Sequence, residues 1–275
     1  MSEVKNYLEV LNQEGYVIIP SSVKDSQIDL CLESYSEIKK TSSTRPIKRL
    51  ANSHFFSTEI RNMFTCNSAL ETCDLFFEKK TCIYTSLFYE AGSEQEIHRD
   101  SPYFRTEPIN NFLGMWVALE DANEENGSLK LYEKGHLLKE EDLRQIRQVF
   151  YSSHKETPDT CMDLWTEYQD RVEARCIRAG LDFKILDVKK GDTVLWHPML
   201  PHGGSEIIKP GATRNSIVFH VTPEDVPVYR ARSFFNPEVK QSPKVSWKYL
   251  EEKNRKFAYF RSSATAFGLD LGKLT

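Results

Sequence analysis

Apolar residues in the first 80 positions recur mostly at helical spacing. This pattern predicts helices over residues 3–13, after the Ser21-Ser22 pair, and over residues 57–79. The second helix is expected to bury four apolar side chains, Ile28, Leu30, Leu32 and Ile38. Residues 15–20 read Gly-Tyr-Val-Ile-Ile-Pro and predict a short strand that ends at its proline.

From Thr81 onwards the apolar residues alternate or run continuously, which is typical of strands. Strands are predicted over residues 82–89, 112–119, 128–132, 183–188, 193–197 and 215–222. The turn at 189–191 favours a hairpin between the fourth and fifth of these. One more strand is predicted between the glycines at 203–204 and the Pro-Gly pair at 210–211. Residues 229–235 look strand-like, and a polar helix is expected after them.

Residues 139–178 interrupt the strands with a charged, helical stretch, which we interpret as an insertion over one end of the sheet. Helices do not alternate with the later strands, so a parallel α/β fold is disfavoured. The pattern predicts an all-β barrel or sandwich core with helices packed outside it. One domain over residues 1–275 is expected, with helical support (1–80), a strand core (81–222) and a C-terminal extension (223–275).

Composition narrows the class of protein. The 275 residues are 40% apolar, enough for one sizeable core, and the net charge of −4 leaves no electrostatic footprint for nucleic acid or an anionic membrane. No targeting signal is expected at the N-terminus, and no apolar run approaches membrane-spanning length. Six cysteines without Cys-x-x-Cys spacing are expected to be reduced thiols in a cytoplasmic protein. The oligomeric state is not predicted.

Two distant motifs carry candidate chemistry. His98 and Asp100 lie two residues apart, so in an extended segment their side chains point to the same side. A lone His-x-Asp pair is a weak signal, but the stretch 191–204 adds His202, and Arg214 follows one strand later. Two imidazoles and one carboxylate form the facial triad that binds non-haem Fe(II). The sequence therefore predicts an iron site.

Other histidines compete for the third ligand position. His197 is followed by Pro198 and has no small neighbour, whereas His202 precedes two glycines that let a metal approach. His220 shares a strand face with Arg214 and is expected to be a hydrogen-bonded core residue. The remaining three, His54, His136 and His154, are expected to be solvated.

Arg214 gives the prediction a co-substrate. A guanidinium binds a carboxylate through two parallel hydrogen bonds, which lysine does less well. Arg214 and Ser216 face the same side of their strand and would hold the distal carboxylate of 2-oxoglutarate, whose keto-acid end would chelate the iron. The alternative is an exposed ion pair with a surface carboxylate, worth ~0 to 1 kcal/mol.

These motifs resemble the phytanoyl-CoA dioxygenase family of Fe(II)/2-oxoglutarate oxygenases. The resemblance runs over about residues 16–222 and is carried by residues 15–20, 92–100, 116–121, 126–129, 191–204 and 214–216. It implies a mainly β fold with flanking helices around a double-stranded β-helix, the jelly-roll or cupin-like core. It also implies Fe(II), 2-oxoglutarate and O2 as cofactor and co-substrates.

The resemblance further implies individual roles. His98, Asp100 and His202 would be the catalytic metal ligands, and Arg214 would pair with 2-oxoglutarate. Further contacts to 2-oxoglutarate are implied for Trp116, Arg99 and Ser205. On general grounds Trp116 is better explained as a core residue, and only the resemblance favours a contact to 2-oxoglutarate. Relatives have a hydroxyl directly after the second histidine, whereas two glycines precede Ser205 here.

The substrate is expected to be a small molecule. Side chains that could meet it are Tyr103, Arg105, Lys48 and Asn52, with Arg49, Arg230 and Arg232 as further basic candidates. The basic ones would suit an anionic substrate, although each is more often a solvated surface charge.

The reaction expected is hydroxylation of a C–H bond with release of succinate and CO2. A carboxylate at Asp100 argues against halogenation, since related halogenases have a small residue there. Desaturation and ring closure are alternatives within the same class. Rival hypotheses are a non-catalytic cupin-like binding protein, and an iron cupin enzyme that needs neither 2-oxoglutarate nor Arg214.

Overall fold

A computed structural model describes residues 2–41, 49–239 and 248–259 of the chain. In these ranges the helices are α1 (Ser2–Glu14), α2 (Asp25–Thr41), α3 (Thr58–Thr65), α4 (Ala69–Phe77), α5 (Leu143–Phe150), α6 (Met162–Arg178) and α7 (Ala231–Phe235). The strands are β1 (Tyr16–Ile19), β2 (Arg49–Ala51), β3 (Thr81–Tyr89), β4 (Arg105–Thr106), β5 (Leu113–Ala118), β6 (Leu129–Tyr132), β7 (Phe183–Ile185), β8 (Thr193–Trp196), β9 (His202–Gly204), β10 (Ser216–Pro223), β11 (Val228–Tyr229), β12 (Lys248–Glu252) and β13 (Arg255–Tyr259).

Two sheets form the core. The larger has the order β1-β8-β5-β10-β3-β13-β12, with β2 paired beside β3. The smaller has the order β7-β6-β9, and an isolated bridge joins His98 to its edge at His202. One apolar cluster contains residues of both sheets, among them Trp116 and Leu131. The predicted mainly β fold with a jelly-roll core and flanking helices is confirmed.

Residues on the central strands alternate between two apolar clusters. Val117 and Phe219 point to the helical side, where the Phe219 ring meets the edge of Phe64 with centroids 5.3 Å apart. Trp116 and Val218 belong to the cluster between the sheets. Because both faces are covered, these strands read as continuous apolar runs rather than as alternating ones.

The insertion contributes to a third apolar cluster, separate from the two clusters of the sheets. Helices α5 and α6 share an apolar cluster with α7, in which Tyr168 meets the edge of Phe234 with ring centroids 5.4 Å apart. Asp142 begins α5 by accepting a hydrogen bond from the Gln145 amide. Ile97 belongs to the same cluster, so the insertion lies beside the segment that carries His98.

Several local predictions are wrong. Residues 183–188 and 193–197 do not form a hairpin, because β7 pairs with β6 whereas β8 pairs with β1 and β5 in the other sheet. The glycines at 203–204 lie inside β9, and residues 205–212 contain no strand. In a jelly roll, successive strands change sheets, and local turn residues do not reveal this change.

The helical predictions need three corrections. The stretch 57–79 is two helices, because the Asn67 side chain accepts from the Ala69 amide and begins a new one. Leu30 is 53% exposed, since it lies on the opposite face of α2 from Ile28. The strand-like stretch 229–235 is mostly helix α7. Residues 248–259 form the β12–β13 hairpin, and the polar helix expected after residue 235 is not found among the described residues; residues 240–247 and 260–275 lie outside them.

All six cysteines are free thiols, and five of them are buried. Burial raises the pKa of Cys31 and of Cys82 to about 12 in each case, which keeps both thiols protonated and unreactive. Within the described ranges, no helix combines the length and the apolar character needed to cross a bilayer.

His54, expected to be solvated, is buried at 1% exposure. Its Nδ1 lies 2.7 Å from Ser86 Oγ on β3, and its Nε2 lies 3.4 Å from the Ala258 carbonyl oxygen on β13. His136 is also buried, with Nε2 3.0 Å from the Asn12 carbonyl oxygen. Only His154 is exposed, as expected. The polar neighbours of these residues in sequence do not reveal the strands that cover them.

The burial of His54 predicts acid destabilisation. Burial lowers the pKa of His54 to about 3, so protonation favours the unfolded chain once the pH falls below about 6.5. Between pH 7 and pH 5 this one group should remove about 2 kcal/mol of the free energy of unfolding. Urea unfolding of the metal-free protein at both pH values should show that His54→Gln loses less free energy of unfolding between pH 7 and pH 5 than wild type does. The exposed control His154→Gln should lose as much as wild type. A loss in His54→Gln as large as that of wild type would contradict this prediction.

Candidate metal centre

A cavity of about 430 Å³ lies between the two sheets. His98, Asp100 and His202 line one part of it, and Arg214 and Trp116 line another. Aromatic rings cover much of the rest of the wall, namely those of Tyr84, Tyr89, Tyr103, Phe104, Trp165, Trp196 and His220. The predicted ligands and the predicted co-substrate arginine therefore share one cavity.

Three side chains converge where a metal could bind. His98, Asp100 and His202 each offer one ligand atom, and these atoms lie within 4.8 Å of one another. Asp100 Oδ1 lies 3.7 Å from His98 Nε2, and Asp100 Oδ2 lies 3.6 Å from His202 Nε2. All three are buried, and no other such group occurs in residues 2–41, 49–239 and 248–259.

The backbone explains the convergence. The His98 amide donates to the His202 carbonyl oxygen at 2.8 Å, and the His202 amide donates back at 3.0 Å. This antiparallel pairing places the two imidazole centroids 4.6 Å apart. Asp100, two residues after His98, points to the same side of the chain.

Backbone carbonyls orient both imidazoles. His98 Nδ1 lies 2.8 Å from the Glu96 carbonyl oxygen, and His202 Nδ1 lies 2.9 Å from the Leu200 carbonyl oxygen. A carbonyl only accepts, so each Nδ1 carries the proton and each Nε2 keeps its lone pair. Such outer hydrogen bonds are typical of histidines that bind metals.

The electrostatics suit a cation. Burial lowers the pKa of His98 to about 4 and also lowers the pKa of His202, so both rings are neutral at physiological pH. Burial alone would raise the pKa of Asp100, but the surrounding imidazoles of His202, His220 and His98 outweigh it and hold that pKa far below its usual range. One carboxylate and two neutral imidazoles are the donor set that non-haem Fe(II) takes.

Arg214 is 2% exposed and has no carboxylate within 4.0 Å in the described part of the chain. Its guanidinium carbon lies 5.5 Å from the Trp116 ring and 5.7 Å from the Tyr89 ring. Burial lowers the pKa of Arg214 to about 10, so it remains a cation. Its Nη2 donates to the Ala91 carbonyl oxygen at 3.4 Å, so a hydrogen-bond partner is present but no anion is. A buried cation without an anionic partner is costly, and an anion in the cavity would remove that cost.

Neighbouring polar atoms around Arg214 also lack partners. Arg214 Nε, Trp116 Nε1 and the Ser216 hydroxyl are buried without a hydrogen bond among the described residues. Arg214 and Trp116 line the cavity, and their N–H groups without partners fit the carboxylate end of 2-oxoglutarate, whereas Ser216 is not among the lining residues. The alternative of an exposed strand arginine paired with a surface carboxylate does not describe Arg214.

Two residues expected near the co-substrate lie elsewhere. Arg99 points away from the cavity, because it sits between two ligands that point inward, and it donates to the Gly135 carbonyl oxygen at 2.8 Å. Its other partner is Glu140, at 3.3 Å. Ser205 is buried, but Gly203 rather than Ser205 lines the cavity, because two glycines separate Ser205 from His202.

The expected substrate residues divide in the same way. Tyr103 and Asn52 line the cavity, as does Arg49. Arg105 does not, since its side chain lies 3.1 Å from Glu107 outside the cavity. Arg230 and Arg232 both approach Asp159, away from the cavity, and Lys48 lies outside the described residues.

The two other histidines considered as alternatives, His197 and His220, lie in different surroundings. His197 is not part of the metal group; its Nδ1 accepts from the Met199 amide at 3.2 Å. His220 is buried, as expected, with Nε2 3.5 Å from Asp100 Oδ2, and it also lines the cavity with its ring stacked on Phe104 at 4.0 Å. The shared strand face of His220 and Arg214 was the signal that could have placed it there.

Several other residues that line the cavity were not predicted from the sequence. Gln95 Nε2 lies 3.2 Å from His98 Nε2, and the Trp196 indole donates to Asp100 Oδ2 at 3.0 Å. Trp165 comes from helix α6 of the insertion and faces His98. Apolar or amide residues of this kind carry no local signal, because their place depends on how distant strands and helices pack.

Comparison with known proteins is consistent with this geometry. The family model for phytanoyl-CoA dioxygenase (PhyH) matches residues 11–215. A phytanoyl-CoA dioxygenase domain-containing protein 1 from Danio rerio is 29% identical over 136 residues, covering 47% of this chain and 40% of that protein. The match thus spans less than half of that relative's length.

Solved structures share the fold. The epimerase SnoN, crystallised with Fe3+, alpha ketoglutarate and nogalamycin RO, has a TM-score of 0.65 at 14% identity, covering 94% of this chain and 98% of that one. EctD from S. alaskensis, crystallised with iron, has a TM-score of 0.61 at 13% identity, covering 86% and 85%.

The metal centre predicts selective loss of divalent-metal binding. His98→Ala removes one of three ligands and should abolish Mn(II) binding measured by isothermal titration calorimetry. His197→Ala, a substitution of a half-buried histidine outside the group, should keep Mn(II) affinity within a few-fold of wild type. Loss of binding in His197→Ala but not in His98→Ala would place the metal elsewhere.

Proposed function

Because this chain belongs to the phytanoyl-CoA dioxygenase family, we propose that it is an Fe(II)/2-oxoglutarate-dependent dioxygenase that hydroxylates a C–H bond of a small molecule. One observation carries the proposal: a buried His-Asp-His group and a buried arginine without a carboxylate partner among the described residues line the same cavity. The first suits the metal and the second suits the co-substrate.

His98, Asp100 and His202 would hold Fe(II), and Arg214 would bind the distal carboxylate of 2-oxoglutarate beside Trp116. Fe(II) bound there supplies the chemistry of the family: O2 and 2-oxoglutarate yield succinate and CO2 while the second oxygen atom goes to the substrate. Three protein ligands leave coordination positions for the co-substrate and O2. The fixed Nδ1–H groups of both imidazoles keep Nε2 directed at the metal.

The rival hypotheses lack a use for part of this site. An iron enzyme independent of 2-oxoglutarate has no need of a buried Arg214. A non-catalytic binding protein would be expected to have an occluded pocket, whereas the cavity of about 430 Å³ falls in the range of ligand-binding pockets. Both observations favour an enzyme.

The cavity wall supports a substrate rich in acceptor atoms, with an anionic one favoured. Among the lining residues that the structure describes, Asp100 is the only carboxylate, while Arg49, Asn52 and Gln95 carry donor groups. The Trp165 indole N–H is buried without a partner in the described part of the chain. Tyr103, Phe104 and Trp165 add aromatic surface against which a flat or apolar body can pack.

Hydroxylation is the reaction we favour. Asp100 fills the position that halogenases leave open, which argues against halide at the metal. The structural neighbour SnoN is an epimerase, so desaturation, ring closure and epimerisation are the competing outcomes for the same site. Whether the product carries an oxygen atom from O2 separates hydroxylation from the other three outcomes.

The role of Arg214 predicts a specific binding defect. Arg214→Gln should weaken 2-oxoglutarate binding to the Mn(II)-loaded protein by roughly 100-fold, since losing a buried charged pair costs about 2–5 kcal/mol. Mn(II) affinity itself should remain, because the ligands are intact. Arg105→Gln, which changes an arginine outside the cavity, is the control. Equal 2-oxoglutarate affinity in Arg214→Gln and wild type would remove Arg214 from this role.

The reaction is testable with labelled oxygen. Wild-type protein supplied with Fe(II), ascorbate, 2-oxoglutarate and ¹⁸O₂ should release succinate, and incubation with a small-molecule extract should yield a product carrying one ¹⁸O atom by mass spectrometry. An unlabelled product lacking two hydrogens would favour desaturation or ring closure. Succinate release no greater than that of His98→Ala would count against an oxygenase.

A further inference from the structure

We infer that Trp196 is the positioning residue for the carboxylate ligand: its indole N–H holds Asp100 Oδ2 and thereby leaves Oδ1 for the metal. This inference rests on the proposed metal site and deepens it. It concerns the single tryptophan of the cavity whose N–H is engaged within the described residues, since Trp116 and Trp165 have none.

The contact is short and buried. Trp196 Nε1 lies 3.0 Å from Asp100 Oδ2, and both side chains are buried. The same oxygen lies 3.5 Å from His220 Nε2 and 3.6 Å from His202 Nε2, whereas Oδ1 lies 3.7 Å from His98 Nε2. Indole is a donor only and cannot compete as a metal ligand. A fixed donor on one oxygen favours coordination through the other.

Gly114 makes room for this arrangement. Strand β5 pairs with β8 so that Gly114 lies directly opposite Trp196. A Cβ atom built at Gly114 would lie 1.9 Å from Trp196 Cε2 and 2.4 Å from its Nε1. The backbone of Gly114 is not left-handed, so the space for the indole explains the glycine. The ring therefore lies across the opposite strand and is held with its N–H towards Asp100.

The arrangement has a consequence for coordination. A carboxylate that bound through both oxygens would occupy one more position on the metal. An indole N–H on Oδ2 disfavours this, so three protein ligands take three positions and the others stay available for co-substrate and O2. Hydrogen bonds to the non-binding atoms of ligands typically change metal affinity 10–100-fold when lost.

The test compares two tryptophans of one cavity. Trp196→Phe keeps an aromatic ring and removes the donor, and Trp165→Phe makes the same change where the N–H has no partner. Mn(II) affinity is measured by calorimetry without 2-oxoglutarate, and the melting temperature is measured in EDTA. We expect Mn(II) affinity 10–100-fold weaker for Trp196→Phe and within twofold of wild type for Trp165→Phe.

Three outcomes are decisive. Weaker Mn(II) binding in Trp196→Phe with a metal-free melting temperature within a few degrees of wild type supports the inference. Mn(II) affinity within twofold of wild type in Trp196→Phe overturns it. Failure of the wild-type protein to bind Mn(II) would instead overturn the metal site itself, so the two failures are distinguishable.

Should Trp196→Phe fail to fold, the wild-type protein still gives an answer. Its four indole N–H signals are recorded by ¹⁵N NMR and assigned by elimination with Trp→Phe variants at Trp116, Trp165 and Trp247. We expect the Trp196 signal to exchange slowly with solvent and to shift on addition of Zn(II). A Trp196 signal that exchanges fast and does not respond to Zn(II) overturns the inference.

Discussion

Two backbone hydrogen bonds between His98 and His202 are the constraint on which the site depends. They join the edge of the smaller sheet to a segment more than a hundred residues earlier in the chain. Side-chain geometry then follows from strand alternation, which sends Asp100 to the same side as His98. Loss of this pairing would separate the ligands even if each kept its local conformation. The metal centre is thus a property of sheet register before it is one of residue type.

The cavity joins two opposite electrostatic demands. Near His98 the buried groups are electron-pair donors suited to bind a cation. Near Arg214 the buried group is itself a cation and is suited to bind an anion. Each end is unfavourable alone, because a buried charge that has hydrogen bonds but no opposite charge beside it is costly. A ligand that chelates a metal through one end and presents a carboxylate at the other satisfies both. This shared requirement connects the two sequence motifs.

Sequence predicts the parts of this site that depend on period two. His98 and Asp100 follow from two residues that share one side of an extended segment, and the helical and strand regions follow from local spacing. His202 and Arg214 follow instead from the second motif, residues 191–204 and 214–216. What depends on register between distant strands is not visible: Trp196 opposite Gly114, and Trp165 from the insertion. The hairpin predicted at the turn 189–191 is wrong for the same reason, since this turn joins strands of different sheets. Arg99, expected beside the co-substrate, lies on the opposite side of its segment from His98 and Asp100, which strand alternation alone would have indicated.

Specificity should reside where the sequence is least informative. His202 lies in β9, and Arg214 lies two residues before β10, a strand that is covered on both faces, which leaves little freedom to vary. Trp165 lies on a helix whose main constraint is an apolar cluster with α5 and α7. That cluster requires apolar volume at residues such as Tyr168 and Val172 but places no demand on which side chain faces the cavity. A change of substrate could therefore arise on this helix while the reaction chemistry stays intact on the sheets.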